Sequence, residues 1–339
     1  MPDLKTAFPV LSREKFGLVD AGARDGIPEL FREIAPVLQA VGFEPDAEEC
    51  DRLNRSGAVR YLPWALGNRN GATDLQVCRS KGASSFYQPN RRWLERFPDP
   101  DRYDVLETRS VPARTLDSLR TERAEALPAR VDFLKIDVQG AELDVLQGAR
   151  QTLDDSVVGI EVEVEFARLY ESQPLFRDVD AFLSERGFTL FKLRRKSWVR
   201  ANCQKKPQIS AGQLVAADAL YLKDPLTLEQ ERGGADAAHQ IEALVLTSVL
   251  YDLHDFALEI VADPRFAPLL QADAVRAWIL QRSNRMDYQP NGSGQLAAWL
   301  KIAGEISRVK AGLGNLYEWS RRRSWGRADS DKDFYTRTR

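Results

Sequence analysis

Carboxylates in this sequence stand where apolar, strand-like runs give way to turns. Asp20 ends the run FGLVDA, Glu44 ends VGFE, and Asp137 lies near the end of VDFLKIDV. In an open α/β sheet, ligands bind at the carboxyl ends of the strands. Because buried acids are costly unless they are paired, hydrogen-bonded or used, these positions indicate a binding or catalytic site.

The turn after the first strand has the composition of a cofactor loop. Gly22 and Gly26 lie in VDAGARDG, where glycine lets the backbone approach a ligand and a helix start offers free N–H groups. In many such turns glycine is present only because the backbone conformation requires it. The sequence also lacks the full GxGxxG spacing of a dinucleotide-binding fold. Glu44 follows by one helix and one strand, the separation at which an acid binds ribose hydroxyls. Together these residues predict a site for a nucleoside-type cofactor.

A second group of acids alternates along GIEVEVEF. Glu161, Glu163 and Glu165 face one side of this predicted strand, and in a central, helix-covered strand they need partners. Lys135 on the neighbouring strand is predicted to neutralise one of them, and another is predicted to share a site with Asp137. Such a carboxylate pair can hold a proton at raised pKa, bind a divalent metal, or accept hydrogen bonds from a polyhydroxyl substrate.

Other titratable residues are assigned structural roles. Glu142 falls in the first turn of a predicted helix, where the helix dipole stabilises a negative charge without any function. His239 and His254 lie in the C-terminal helical part, and the sequence has neither a GxxxxGK[ST] loop nor a GxSxG elbow. Acids rather than histidines must therefore carry any proton transfer in the α/β part.

The elements that position these residues form a doubly wound α/β pattern. Short apolar runs alternate with helical patterns over the first two thirds of the chain, which predicts seven or more strands in one sheet. The last two, FTLFKLRR and LVAADALYLK, are predicted to be antiparallel. A helix over residues 28–40, a hairpin at Asn70-Gly71 and a loop or lid over 81–100 are also expected.

The periodicity becomes purely helical after Pro225. We therefore predict an α/β domain at residues 1–224, a helical accessory domain at 225–320 and a charged, flexible tail at 321–339. The accessory helices would suit a contact between identical subunits.

Composition narrows the class of protein further. The 339 residues are 43% hydrophobic and 29% charged, as expected of a folded globular protein. A net charge of −2 argues against nucleic-acid binding. Three scattered cysteines suit a reducing compartment, and no run approaches the ~18 apolar residues of a spanning helix. A soluble cytoplasmic protein is expected.

The motifs, taken together and in this order, resemble the FkbM family of S-adenosylmethionine-dependent methyltransferases. The similarity covers about residues 16–193 and rests on VDAGARDG, GFEPD, ARTLDSL and DFLKIDVQGAELDVLQGA. The resemblance implies a Rossmann-like, mostly parallel sheet with an antiparallel last strand, S-adenosylmethionine as the cofactor, and methyl transfer to a sugar or polyketide hydroxyl.

The resemblance also implies roles for single residues. Asp137 would lie beside the transferring methyl group, and Arg24 stands where the family pattern usually has Asn. The cofactor would be bound along its length by Asp20, Gly22 and Gly26 at the methionine end, by Glu44 at the ribose, and by Ala65 and Leu66 at the adenine.

Methyl transfer requires alignment, exclusion of water and removal of a proton. We therefore predict Asp137 and Glu163 as the catalytic groups; a divalent cation is left open, and no residue is assigned as a metal ligand. Lys135, Tyr87 and Arg91 are predicted to contact a saccharide or glycosylated acceptor, although the aromatic residues of that loop equally suit a cap over the core. The alternatives are a metal-assisted O-methyltransferase of a polyketide or other secondary metabolite, and a non-catalytic scaffold with a cofactor fold.

Overall fold

The computed structural model describes residues 3–55, 57, 59–203, 210–226, 228 and 235–285. The strands are β1 Phe16–Ala21, β2 Leu38–Phe43, β3 Arg60–Leu62, β4 Ala65–Leu66, β5 Gly71–Cys78, β6 Val105–Arg114, β7 Phe133–Ile136, β8 Gly159–Glu165, β9 Phe188–Trp198 and β10 Gln213–Lys223. The α-helices are α1 Leu4–Ala7, α2 Pro9–Glu14, α3 Ala47–Asn54, α4 Arg91–Leu94, α5 Leu116–Glu122, α6 Glu142–Gln147, α7 Arg150–Asp155, α8 Phe176–Ser184, α9 Ala235–Leu250, α10 His254–Ala262 and α11 Ala272–Arg285. Short 3-10 helices span Glu29–Val37, Lys81–Ala83, Pro100–Tyr103, Ala124–Ala126, Ala201–Cys203 and Ala267–Leu269.

Seven strands form a central sheet in the order β3–β2–β1–β7–β8–β10–β9. The strands from β3 to β8 are parallel, whereas β10 runs antiparallel to both β8 and β9. All six residues of β1 are buried, as expected of a parallel strand covered on both faces. The predicted fold class, a mostly parallel Rossmann-like sheet with an antiparallel last strand, is confirmed.

Two of the predicted strands do not join the central sheet. β5 and β6 pair with each other in antiparallel fashion, and β4 pairs with β6, which makes a small second sheet. The prediction of one sheet is therefore wrong, as is the hairpin at Asn70-Gly71, because β5 begins at Gly71 and finds its partner in β6. Residues 105–110 of β6 are all exposed, which a strand beneath covering helices cannot be.

The first connection also differs from the helix predicted over residues 28–40. A 3-10 helix spans Glu29–Val37 with Pro36 inside it, and β2 already begins at Leu38. Proline lacks an N–H group and its ring clashes with the preceding turn, so an α-helix cannot run through this position. The earlier start of β2 lengthens the parallel pairing with β1.

Apolar clusters cover both faces of the central sheet. One unites sheet residues such as Phe16 and Phe133 with α1, α2 and the helices α9 to α11. The other unites residues such as Val19 and Ile160 with α5 to α8. The described helices of 235–285 thus share a core with the sheet. The domain boundary after residue 224 stays a prediction, and the tail at 321–339 lies outside the described residues.

A buried polar cluster joins the sheet to the covering helices at the amino ends of β1 and β7. The Asp132 carboxylate accepts a hydrogen bond from the Gly17 N–H at 2.7 Å and lies 2.9 Å from His239 Nε2. The other ring nitrogen, Nδ1, lies 3.0 Å from a Glu14 oxygen on α2. Burial disfavours the imidazolium, but the hydrogen bond and charge of Asp132 and the hydrogen bond to Glu14 together outweigh it and raise the pKa of His239. We call these four residues the amino-edge cluster.

Helix α9 also binds the start of α2 directly. The carboxylate of the fully buried Glu242 accepts hydrogen bonds from the N–H groups of Val10 and Leu11 at 3.2 and 2.9 Å. These N–H groups have no partner within their own helix, so the acid completes the helix end. Among the described helices, none has both the length and the apolar character that crossing a membrane requires.

Candidate active site

A pocket opens at the carboxyl ends of β1, β2 and β7, where the small sheet faces the central one. Its empty space measures about 930 Å³ including the open mouth. Apolar residues from both sheets line it together with charged side chains. Of the residues predicted from the sequence, the pocket brings together Gly22, Glu44, Ala65, Leu66 and Asp137. Those that do not line it are Asp20, Gly26, Lys135, Glu163, Tyr87 and Arg91.

Gly22 is required by the close approach of two strand ends. Its φ is +84°, and a Cβ atom would lie 1.9 Å from the carbonyl oxygen of Asp137. The absent side chain therefore allows the loop after β1 to pass directly against the end of β7. Gly26 has a φ of +79°, and a Cβ atom there would come no closer than 3.4 Å to Tyr61, so conformation alone demands this glycine.

Asp20 and Lys135 form an ion pair beneath the pocket. The buried Asp20 lies 3.2 Å from the Lys135 ammonium. Burial raises the pKa of Asp20 to about 6, against the opposing effect of Lys135. The other Asp20 oxygen, Oδ2, has no hydrogen-bond partner among the described residues. The direct ion pair of Lys135 is with Asp20, and its charge also opposes the rise that burial causes in the pKa of Glu161 on β8. Glu161 accepts a hydrogen bond from Tyr251 at 2.5 Å.

Glu44 presents its carboxylate to the pocket from the end of β2. One oxygen accepts a hydrogen bond from the Asp46 N–H at 2.8 Å. Burial raises the pKa of Glu44, while that hydrogen bond and the charge of Arg24 oppose the shift. Arg24 lines the same pocket, so the departure from the family pattern lies at the site itself.

Ion pairs link the small sheet to the central one at the pocket mouth. Asp46, whose side chain also caps α3, lies 3.3 Å from Lys81 and 3.8 Å from Arg109. Both cations belong to the part of the chain that forms or follows the small sheet. The pairs hold its wall against the loop that carries Glu44.

An amide joins the two predicted catalytic acids. The Gln139 Nε2 atom donates to Asp137 Oδ1 and to Glu163 Oε2, each at 2.7 Å. The other Glu163 oxygen lies 2.6 Å from the Lys196 ammonium, which is also 2.8 Å from Asp218. The Gln139 side chain therefore links Asp137 to Glu163, and the sequence does not predict this link. The only local signal was a glutamine directly before Gly140 in a turn.

Glu142 combines a structural role with membership of an acidic trio. Its carboxylate accepts hydrogen bonds from the N–H groups of Val138 and Gly140 at 3.0 and 3.1 Å, which shapes the turn after β7. One oxygen each of Glu142, Glu163 and Glu165 lie within 4.8 Å of one another. Burial raises the pKa of Glu142 to about 8 and that of Glu163 to about 7, and the negative charges of the neighbouring acids add to both shifts.

Two predicted acceptor contacts are bound within the protein. Tyr87 Oη donates to Asp144 at 2.8 Å, and the Arg91 guanidinium lies 2.8 Å from Asp104. The segment 81–100 nevertheless closes one side of the pocket, because Lys81, Gly82, Ser84 and Phe86 line it. Ser85 also reaches the site, since its hydroxyl donates to the Gln139 carbonyl oxygen at 2.6 Å.

The central sheet and its edge pocket define a Rossmann-like methyltransferase fold. The model of the methyltransferase FkbM domain matches residues 20–190. The chain belongs to the FkbM methyltransferase family, and the enzyme class predicted from the sequence is confirmed at the level of that family.

Two curated relatives share this region. The chain is 30% identical over 172 residues to the 2-O-methyltransferase NoeI of Sinorhizobium fredii (strain NBRC 101917 / NGR234), which covers 46% of this chain and 66% of that protein. It is 27% identical over 204 residues to the methyltransferase sdnD of Sordaria araneosa, covering 52% of this chain and 75% of that one. The aligned region therefore spans just under two thirds of the first relative.

A solved structure of the same family is more distant. The crystal structure of the methyltransferase FkbM from Methylobacillus flagellatus KT shares 14% identity, with a TM-score of 0.34. The match covers 62% of this chain and 44% of that one. The fold is defined by the strand order of the central sheet.

Proposed function

We propose that this protein is an S-adenosylmethionine-dependent O-methyltransferase that acts on a hydroxyl of a saccharide or glycosylated small molecule. The observation that carries the proposal is the pocket in which Gly22, Glu44 and Asp137 meet from three neighbouring strands. It unites the residues that a nucleoside cofactor and a proton acceptor would each require.

The donor set of the pocket fits this cofactor. Glu44 offers a carboxylate to ribose hydroxyls, and Leu66 and Phe86 offer apolar surface to an adenine ring. Asp20, two residues before Gly22, keeps a buried oxygen without a partner among the described residues, which suits the amino group of the methionine end. These side chains would hold the cofactor with its reactive end toward Asp137.

Asp137 is the group assigned to the acceptor hydroxyl. S-adenosylmethionine, held by these residues, would supply an electrophilic methyl group on a sulfonium, with sulfur as the leaving atom that keeps the electron pair of the broken carbon–sulfur bond. The hydroxyl proton passes to the Asp137 carboxylate, which also orients the oxygen. Alignment in a pocket closed by the small sheet supplies the larger part of the rate.

A polyhydroxyl acceptor is supported by the charged groups beyond Asp137. The Lys196 and Arg194 side chains are each 37% exposed and stand beside Asp218 on the outer strands. Alternating donors and acceptors of this kind suit the hydroxyl groups of a sugar. The name of the relative NoeI, a 2-O-methyltransferase, supports oxygen as the acceptor atom.

The test combines a transfer screen with a variant. Wild-type protein is expected to methylate a member of a panel of free sugars, nucleotide sugars and glycans, read by mass spectrometry. Asp137→Asn should lose about 10²- to 10⁴-fold in turnover, the usual worth of a positioned base. The variant should bind S-adenosylhomocysteine within about twofold of wild type by calorimetry, because the amide keeps the shape of the pocket. Asp101→Asn, at a side chain 76% exposed, is the matched control. Undiminished turnover of Asp137→Asn would remove Asp137 from the chemistry.

A metal-assisted variant of the same transfer is the second candidate, favoured by the trio of Glu142, Glu163 and Glu165. Three carboxylate oxygens at this spacing suit a divalent cation. Against it, Lys196 already neutralises Glu163, and two backbone N–H groups already engage Glu142. We therefore expect turnover to survive exhaustive chelation; a loss that added magnesium or manganese restores would establish the metal-assisted route.

A further inference from the structure

We infer that Gln139 is a positioning residue for methyl transfer: its side-chain amide fixes one oxygen of Asp137 and leaves the other for the acceptor hydroxyl. The inference rests on the proposed function, because Gln139 acts through Asp137. It assigns a role to a residue that lines the pocket beside Asp137.

The geometry of the bridge uses both hydrogens of the amide. Gln139 Nε2 lies 2.7 Å from Asp137 Oδ1 and 2.7 Å from Glu163 Oε2. A primary amide has two N–H donors and can therefore serve two acceptors at once. Two neighbouring carboxylates repel each other when both are ionised, and a donor between them stabilises the ionised pair.

The backbone holds Gln139 in a conformation that a free chain avoids. Its φ is +58°, in the left-handed region that is unfavourable for a residue with a Cβ atom. Gly140 continues the turn at +101°, and the Ser85 hydroxyl donates to the Gln139 carbonyl oxygen at 2.6 Å. A strained conformation that persists at the edge of a ligand pocket indicates a functional demand on the side chain.

Glu163 anchors the far side of the bridge. Its second oxygen lies 2.6 Å from Lys196, and Lys196 lies 2.8 Å from Asp218. Arg194 in turn donates to Asp218 at 2.7 Å. Asp137 is thereby connected through Gln139 to a row of alternating charges on β8, β10 and β9. The two Glu163 oxygens are engaged by Gln139 and Lys196, so Glu163 acts on Asp137 through Gln139.

The bridge selects which oxygen of Asp137 meets the acceptor. Within the described residues, Gln139 is the donor that reaches this carboxylate, and it does so at Oδ1. Asp137 itself lines the pocket. The acceptor hydroxyl is therefore expected at Oδ2, with the carboxylate plane fixed by the amide before the acceptor arrives.

The test replaces the amide without changing the length of the side chain. Gln139→Met keeps the length and the backbone demand but removes both donors. We expect kcat to fall about 10- to 100-fold, with S-adenosylhomocysteine affinity within about twofold of wild type. The acid limb of the pH–kcat profile should also move upward by about one pH unit, because the lost donor favoured the ionised carboxylates.

Gln88→Met is the matched control. Gln88 also donates a side-chain hydrogen bond, to Gln76 at 2.8 Å, but it does not line the pocket. This variant should keep the kcat and pH profile of wild type while losing a similar amount of thermal stability. A wild-type kcat and pH profile in Gln139→Met, or a change confined to stability as in Gln88→Met, would overturn the inference.

The outcome for Asp137→Asn separates the inference from the proposed function. If Asp137→Asn is inactive and Gln139→Met is fully active, the positioning role fails and the proposed base stands. If both keep wild-type turnover, the role of Asp137 and the inference fail together. Gln139→Asn, which keeps an amide and tolerates the left-handed backbone, provides a folded variant whose shorter side chain should also shift the pH profile.

Discussion

The two aspartates that bracket β7 occupy opposite surroundings. Asp132, just before the strand, is fully buried, with its two oxygens engaged by the Gly17 N–H and by His239. Asp137, just after the strand, lines a pocket, and the donor it receives among the described residues is the neutral amide of Gln139. One residue type on one strand thus serves two purposes.

The difference between the two ends lies in the partners rather than in the acids. A backbone N–H and the His239 imidazole give each Asp132 oxygen a partner, so burial costs little and the contact holds elements together. Asp137 keeps unfilled hydrogen-bonding capacity where a ligand can enter, as a catalytic group must. The amino edge of the sheet therefore holds packed elements together, and the carboxyl edge forms the candidate active site.

Removal of Asp132 should have the largest effect on stability. Asp132→Ala leaves the Gly17 N–H and a buried His239 without their acceptor, and breaking a buried charged pair costs about 3 to 5 kcal/mol. Urea denaturation should report this loss in the free energy of unfolding. Asp137→Ala is the comparison, with an expected change below about 1 kcal/mol. Equal losses at the two ends would contradict the contrast.

The amino-edge cluster should also make stability depend on pH. Since the folded pKa of His239 is raised, its contribution is complete below the unfolded value near 6.5 and is lost as pH rises through the folded pKa. At pH 6, His239→Gln should cost about 2 to 3 kcal/mol, the worth of hydrogen bonds to charged groups.

The groups that face His239 are Asp132, Glu14 and the nearby Arg130. The difference in unfolding free energy between wild type and His239→Gln isolates the histidine from other titrating groups. This difference in unfolding free energy should become smaller as pH rises. A difference that stays constant from pH 6 to 9 would mean that His239 is neutral in the folded protein.

At the carboxyl edge, Glu44→Gln should weaken cofactor binding rather than folding. Replacing the charged acceptor of the ribose hydroxyls by a neutral amide is expected to reduce S-adenosylhomocysteine affinity about tenfold, measured by calorimetry. Glu49→Gln, on α3 and paired with Arg52, is the matched control and should bind as wild type. Unchanged affinity in Glu44→Gln would remove the ribose assignment.

The smallest effect is expected at Tyr87. Tyr87→Phe removes the hydrogen bond to Asp144 and should cost about 1 kcal/mol of stability. Turnover and the KM for the acceptor should remain within about twofold of wild type, because the hydroxyl is occupied inside the protein. A large rise in KM would restore Tyr87 as the acceptor contact predicted from the sequence.

The sequence predicts the carboxyl edge better than the amino edge for a physical reason. Acids at the ends of apolar runs lie at one edge of a parallel sheet whatever the distant contacts are, so Glu44 and Asp137 were identified locally. Asp132 stands at the start of such a run rather than at its end, and its partner His239 is 107 positions away. Periodicity predicts that a segment is a strand without naming its neighbour, and β5 and β6 were therefore assigned to the wrong sheet.

Gln139 illustrates the same limit within the site. Its neighbours along the chain predict a turn, but the bridge to Glu163 joins positions 24 apart and depends on the register of β7 and β8. The left-handed backbone at this residue follows from that contact and from Ser85. No local pattern of residue types encodes either.

The hydrogen bonds that α9 accepts from α2 join segments that the ribosome makes far apart in time. Glu242 is synthesised 232 residues after Val10, whose N–H it accepts, and His239 follows Glu14 by 225 residues. At a synthesis rate of about 5 to 20 residues per second, the N–H groups at the start of α2 are made roughly 10 to 50 s before their acceptor Glu242. Until Glu242 and His239 arrive, the amino edge of the nascent sheet is open. Helix α9, made long after β1 and β7, therefore closes the amino edge of the sheet late in assembly.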